Sequence, residues 1–367
     1  MPRRFRRYLP LLLALLVIAF GLYKLRKGIA LEDFHWNVVA ASLKDARISL
    51  MLLSLVAIYG CYALRSLRWM RFCRSLGSLH FANVYKSTLM GFTCLFLLGR
   101  PGEPIRPVLI ARKDSLSIPQ MFGVYVLERV FDMAATAVVA ILALFSIKRG
   151  GLADNLVITS ARSAGGALLL GLVGATGFLI YFRHHGARWL AARMDAPSWH
   201  QGWRAKVVAI LQGFSEGLQG VGTWADLGMA TLYTMVHWAL VVLVYLWILD
   251  AFGGALSTLT LSNVILVVAF TLVGSAAQLP VAGGGSQAAC FLVLTLIFGV
   301  EKEPAAVASI VIWLITFAAC SLVGLPLLLQ EGWSMRELRR LAKSQEQAEG
   351  AHLLSDAERA AVKENPD

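Results

Sequence analysis

Charge is scarce in this chain. Asp, Glu, Lys and Arg make up 15% of 367 residues, whereas 57% are hydrophobic, and several apolar runs approach or exceed the ~20 residues needed to cross ~30 Å of hydrocarbon. That combination excludes a soluble domain and identifies an integral membrane protein. Acidic residues are scarcer than basic ones, 22 against 34, for a formal charge of +12. The basic residues lie in short clusters at the ends of apolar runs rather than along an aromatic-interleaved polar domain. They therefore point to anchoring at a membrane face and exclude nucleic acid as a partner. Cysteine is sparse too: Cys61, Cys73, Cys94, Cys290 and Cys320 lie in or beside apolar segments without CxxC spacing, so neither disulfides nor a metal site is expected. His184, His185 and His237 lack a second ligand cluster and read as interfacial and core histidines. No ATP-binding loop and no nucleophile–base–orienter set can be assembled, so no cofactor, metal or catalytic residue is expected.

What is abundant is apolar sequence. Spans fall at about 8–23, 48–64, 119–147, 160–182, 225–249 and 304–329, with shorter or interrupted pieces at 83–98, 262–280 and 286–299. The expected fold is an all-α polytopic membrane protein with about six to eight transmembrane helices plus one or two re-entrant or broken helices. Residues 1–330 form a membrane-embedded domain and 331–367 a polar tail, opened by Ser334 and Glu337 at capping-box spacing. The basic-then-apolar start, "MPRRFRRYLPLLLALLVIAF", has no small-residue cleavage site before Lys24 and is expected to remain as a first membrane helix.

Positive residues orient the spans. Arg65, Arg68, Arg71 and Arg74 follow the second span, Arg183, Arg188, Arg193, Arg204 and Lys206 the 160–182 span, and Arg336, Arg339, Arg340 and Lys343 the last. These loops, and both termini, are expected on the cytoplasmic side of the inner (plasma) membrane, although Lys24, Arg26 and Lys27 oppose that assignment for the first helix. Within the loop 183–222, Trp203, Val207, Ile210, Leu211, Phe214, Leu218 and Val221 form an amphipathic stripe, suited to the membrane surface or to packing on the cytoplasmic helix ends.

Two segments break the pattern. "GRPGEPIRPVLIARK", residues 99–113, places charge and helix breakers directly after an apolar run of about sixteen residues, which reaches only ~24 Å as a helix. If 83–98 crossed the membrane, every later basic loop would invert, and a re-entrant hairpin avoids the conflict. In the other half, Pro280 and Gly283–Gly285 interrupt "LVVAFTLVGSAAQLPVAGGGSQAACFLVLTLIFGV". Two breaks entered from opposite faces match an inverted repeat with its ligand site where they meet, although the halves show no residue-by-residue similarity.

The 119–147 span carries Glu128, Arg129 and Asp132, with Glu128 ~14 Å beyond Pro119 and so near mid-membrane. Unpaired charges there cost at least ~2.5–3.5 kcal/mol, so each must find a partner. Arg129 reaches Asp132 at a spacing of three, and Arg100 and Arg106 of the re-entrant segment are the expected partners of Glu128. Such arginines can also fork onto a phosphate, and the turn Gly283, Gly284, Gly285, Ser286, Gln287 offers N–H groups to an anion from the other half.

"LLGRPGEPIRPVLIARK", then "VLERVFD", "QLPVAGGGSQAACFLVLTLIFGV" and "IVIWLITF", resemble the flippase-like membrane family typified by the transmembrane region of lysylphosphatidylglycerol synthases. The resemblance covers most of 1–330. It implies a polytopic helical protein that translocates or binds lipid, and no lysyl transfer, since no synthase domain follows. It carries the family's Gly-Arg-x-Gly-Glu element onto Gly99, Arg100, Gly102 and Glu103, with Arg106 following, and its Glu-Arg-x-x-Asp element onto Glu128, Arg129 and Asp132. The Glu found in many members after the second glycine turn is missing here, where the chain reads "SQAAC".

The expected function is a lipid translocase that binds an anionic phospholipid or a polyprenyl-phosphate-linked lipid between the two broken segments. Arg100, Arg106 and Arg129 would neutralise the phosphate, while Glu128 and Asp132 would hold those arginines. Alternatives are a non-catalytic scaffold of an envelope-lipid pathway and an intramembrane lipid-modifying transferase. Candidate protein partners are a second copy of the chain and an envelope-lipid enzyme.

Overall fold

A computed structural model describes residues 42–146, 212–213, 215–218, 220–221, 223–275, 278–279, 281 and 283–332, with the isolated positions 170 and 174. The expected first helix, the 160–182 span, most of the amphipathic stripe and the polar tail lie outside these residues. Within them the chain is helical: α1 Ile48–Phe72, α2 Phe81–Leu98, α3 Ile105–Lys113, α4 Ile118–Ser146, α5 Trp224–Phe252, α6 Leu261–Gly274, α7 Gly285–Ile297 and α8 Lys302–Gln330. Among the described residues α1, α2, α5 and α8 are long and apolar enough to cross a membrane, and the 29-residue α4 is as long as α5. The protein is thus an all-α polytopic membrane protein.

Chain ends of the helices follow local chemistry. Thr223 caps α5 by accepting from the Asp226 N–H at 3.1 Å, and Thr260 caps α6 from the Asn263 N–H at 3.4 Å. Gly99 stops α2 at φ 73°, a left-handed conformation that costs glycine little. Both α7 and α8 contain a π-helical turn, Val293–Ile297 and Leu314–Ala318, and α8 also carries Pro326.

One correction concerns α1. The second span was expected to stop at about 64, with Arg65, Arg68 and Arg71 in a loop, but the helix continues to Phe72 and Arg68 is 1% exposed. The physical reason is that α4 supplies carboxylates at that level, so the arginines are neutralised inside the bundle instead of in water.

Helices α1 and α5 form the most extensive pair among the described residues, running antiparallel. At one end of the bundle Arg47 donates its N–H to the Ala251 carbonyl at 2.8 Å; at the other, Arg74 pairs with Asp226 at 3.5 Å. The second end, rich in Arg71, Arg74, Arg112 and Lys113, is the basic end of the bundle. The described residues between 212 and 221 pack here: Gly217 abuts the Gln120 carbonyl, Gly220 the Phe72 carbonyl, and Gln120 donates to Glu216 at 2.7 Å. The described part of the expected amphipathic stripe thus packs on the helix ends.

The first broken segment is a hairpin that returns to its starting level. Asn83, at the start of α2, donates to Asp114, just after α3, at 2.8 Å. Between them a 3-10 turn, Arg100–Gly102, reverses the chain, and a β-carbon on Gly102 would collide with the Cys94 carbonyl. Both ends of this hairpin therefore lie at the basic end. The second broken segment mirrors it. Helix α6 begins beyond Phe252, at the opposite end, and packs along α7. Helix α8, which starts five residues after α7, ends beside Lys113, which pairs with Glu331 at the basic end. Since 29 residues of helix rise ~43 Å, α8 starts at the opposite end, where the second hairpin must also finish.

The two tips meet. A two-residue antiparallel pair, Gln278–Leu279 with Gly283–Gly284, closes the second turn, and the Val281 N–H donates to the Phe96 carbonyl near the end of α2 at 2.9 Å.

Candidate functional site

Each of three helices carries a polar layer between two apolar ones. On α1, Arg65 and Arg68 fall between Tyr62 and Phe72; on α4, Glu128 and Asp132 between Val124 and Val139; on α5, Thr234 and His237 between Ala230 and Val242. The hairpin α2–α3 brings Glu103 and Arg106 to this layer from the side.

Glu128 is fully buried and is the hub. It accepts from Arg65 at 3.0 Å, from Arg68 at 2.9 Å and from both terminal nitrogens of Arg106. Asp132 accepts from Arg65 at 2.9 Å and Arg68 at 2.8 Å and forms an ion pair with Arg129 at 3.2 Å. Glu103 accepts from the Tyr125 hydroxyl at 2.8 Å and from Arg129 at 3.3 Å. Aromatic faces complete the shell: the Arg106 guanidinium lies 5.0 Å from the Trp69 ring centre and 5.4 Å from Phe92, and that of Arg129 5.2 Å from Tyr125. Among the described residues of this network four guanidinium groups thus face three carboxylates, an excess of one positive charge.

The members differ in access. Arg68, Arg106 and Glu128 are sealed, whereas Arg65, Arg129 and Glu103 line a cavity of about 430 Å³ together with Arg100. That cavity extends between α1, α2, α5, α6, α7 and α8, and its remaining wall is aromatic and hydroxylated: Tyr62, Phe92, Trp238, Tyr245, Trp313, Ser275, Ser286 and Ser309 among others. Of the nine buried side-chain polar atoms without a partner among the described residues, five belong to residues that line it: Arg129 Nε, His237 Nδ1, Trp238 Nε1, Ser286 Oγ and Trp313 Nε1. Trp238 also borders a second, almost wholly apolar groove of about 670 Å³ between α4, α5 and the start of α6.

The expected site residues divide accordingly. Arg100, Glu103, Arg129 and Ser286 line the cavity; Arg106, Glu128 and Asp132 form the network behind it; Gly102 makes the close turn. Gly283 and Gly284 hold φ of 71° and 111°, and the Gly284 N–H, expected to be open to an anion, is accepted by the Gln287 side chain. Gly285 opens α7. Expected pairing of Arg106 with Glu128 and of Arg129 with Asp132 is present, and the residues that sequence reasoning missed are Arg65, Arg68, His237, Trp238 and Trp313. For the arginines a signal existed: Ile58, Tyr62, Arg65, Arg68 or Trp69, and Phe72 keep one helical face. Among the described residues no group of His, Cys, Asp and Glu is arranged to hold a metal ion.

Residues 10–324 match the family described as the lysylphosphatidylglycerol synthase TM region. The match spans most of the chain, which therefore belongs to this family, as its sequence motifs implied. No curated protein and no solved structure matches it.

Proposed function

Starting from membership in that family, we propose that this protein is a lipid translocase. It receives an anionic phospholipid or polyprenyl-phosphate-linked headgroup in the cavity between the two hairpin tips and passes it between leaflets. The observation that carries the reading is the excess of arginine over carboxylate, among the described residues, at a cavity whose wall is otherwise aromatic and hydroxylated and which adjoins an apolar groove at Trp238. An amphiphile with a phosphate matches both: arginine forks for the anion, an oily groove for the chains. Arg65, Arg100 and Arg129 meet the phosphate, and Arg68, Arg106, Glu128 and Asp132 hold the layer in place. The basic end faces the cytoplasm of the plasma membrane by its excess of Arg and Lys.

No chemical step is assigned to the cavity. The carboxylates that would act as a base are engaged by arginines or, for Glu103, also by Tyr125. The test is movement of fluorescent phosphatidylglycerol and of labelled polyprenyl phosphate in proteoliposomes containing wild type, Arg100→Ala or Arg129→Gln. Transport by wild type that falls at least tenfold in either variant supports the reading. No movement of either lipid by folded wild type refutes it. A scaffold reading draws on the sealed state of Arg68, Arg106 and Glu128, and predicts that variants change stability alone.

A further inference from the structure

We infer that the contact between the two hairpin tips is a strained latch that parts and re-forms during transport, an inference that rests on the translocase reading. Val281, in the turn of the second hairpin, holds φ at 61°. Nearby Gly283 and Gly284 hold positive φ at little cost, but a β-branched side chain in this region crowds its own backbone. Among the described residues only Ser115 shares this state without being glycine, and it lies in an exposed turn at the basic end. Val281 sits instead where the hairpins meet.

Strain of this kind persists only where the surroundings over-determine it. Three contacts do so here. The short strand pair sets Gln278 opposite Gly284 and Leu279 opposite Gly283, the Val281 side chain packs against the main apolar core, and its N–H donates to the Phe96 carbonyl at 2.9 Å. Among the described residues that is the one backbone hydrogen bond that joins the tips. The strain of a left-handed β-branched residue is of the same size as the net contribution of one hydrogen bond, so the two nearly cancel. A joint built only to hold would carry glycine or asparagine here. The closed contact is therefore close in free energy to the parted one.

A second irregularity touches the same residue. The Phe96 ring centre lies 5.8 Å from that of Trp313 and 6.1 Å from that of Phe317, both on α8. Phe317 belongs to the π-helical turn Leu314–Ala318, a geometry that is rare and frequent at functional sites. Trp313 and Phe317 line the cavity, as do Arg100 from the first tip and Ser275 and Ser286 from the second. Parting at Val281 thus frees the two cavity walls from each other, while the first hairpin stays tied at its base by Asn83 and Asp114.

The experiment is hydrogen exchange of the full chain in lipid nanodiscs, read at the Val281 amide by fragmentation mass spectrometry. In wild type this amide should exchange at least roughly tenfold faster than amides in the middle of α2 and α6, because its bond parts without unfolding of the helices. Two variants isolate the cause. Val281→Gly and Val281→Ala both delete the branched methyl groups, but only glycine removes the backbone strain. The amide should therefore exchange about fivefold more slowly in the glycine variant than in the alanine variant. Movement of fluorescent phosphatidylglycerol in proteoliposomes should be about threefold slower in the glycine variant, since its latch resists parting. A wild-type amide as protected as those of the helices, equal exchange in the two variants, or equal lipid movement by them overturns the inference. Lipid movement by wild type without the exchange pattern refutes the latch alone; the exchange pattern without lipid movement refutes the translocase alone.

Discussion

Replacing Glu128 by Gln keeps the shape of the hub and removes its charge. Arg65, Arg68 and Arg106 then lose a carboxylate that each contacts, and Arg106 loses the only one that it pairs with among the described residues. Removing one partner of a buried ion pair costs about 3–5 kcal/mol, because the other charge stays buried and uncompensated. That is a large share of the ~5–15 kcal/mol that holds a typical domain folded. With ~2–4 °C lost per kcal/mol in chains of this size class, the midpoint of thermal aggregation should fall by roughly 6–20 °C, read by fluorescence-detected size exclusion of heated, detergent-solubilised protein. Glu103→Gln is the contrast. Glu103 lies on the cavity wall with its side chain 29% exposed, bonded to Tyr125 and Arg129. Exposed pairs are worth about 0.2–1 kcal/mol, so its midpoint should move by only a few degrees. A double replacement, Arg106→Met with Glu128→Leu, removes both charges and should recover most of the midpoint lost by Glu128→Gln, since apolar substitutes for whole buried pairs are often neutral. An unchanged midpoint for Glu128→Gln, or a fall equal to that of Glu103→Gln, would refute the division of the network into a sealed hub and an accessible rim.

Three further outcomes follow from the geometry. Gly102→Ala should destabilise the protein by well over the ~0.5 kcal/mol of an ordinary surface change, because its β-carbon would drive the 3-10 turn away from the Cys94 carbonyl; circular dichroism melting in detergent measures it. Cysteines introduced at Ser115 and Ser257, both exposed and at opposite ends of the bundle, should react with a membrane-impermeant maleimide from opposite sides, against a low background because all five native cysteines are buried; same-side labelling would refute the hairpin topology. Arg129→Lys should retain less than a third of wild-type lipid movement in proteoliposomes, since an ammonium cannot span Glu103, Glu128 and Asp132 as the forked guanidinium does.

Helix positions were legible because apolar runs of membrane length leave little choice: the expected 119–147, 225–249 and 304–329 became Ile118–Ser146, Trp224–Phe252 and Lys302–Gln330. Both breaks were legible for a related reason. Pro101, Pro104 and Gly102, like Pro280 and the glycines after it, cannot continue an apolar helix. Half of the ion network was readable as well, since two carboxylates one turn apart require cations, and the nearest irregular segment supplied Arg106. Arg65 and Arg68 were misplaced because the positive-inside pattern treats any arginine after an apolar run as loop. A helix that is apolar below them and paired beside them looks the same in one dimension. His237, Trp238 and Trp313 carried no signal, for each is an ordinary core residue until the packing of three helices leaves its nitrogen unpartnered.

Packing alone gives no reason for arginine at this level. Leu or Met at positions 65, 68, 106 and 129, with apolar replacements for Glu128 and Asp132, would fill the same volume without the desolvation cost of burying six charged groups. A purely structural layer would also tend toward neutrality, since an unmatched charge within a membrane protein costs at least ~2.5–3.5 kcal/mol when it finds neither water nor partner. Here the excess charge is not sealed with the hub. The partly open Arg129 lies on the cavity wall, with 34% of its side chain exposed. Fixed carboxylates hold the sealed arginines in register, and the wall keeps one positive charge beyond what those carboxylates neutralise. On the translocase reading proposed above, that separation suits transport: enough attraction to draw a phosphate off the membrane surface, and too few fixed contacts to trap it midway.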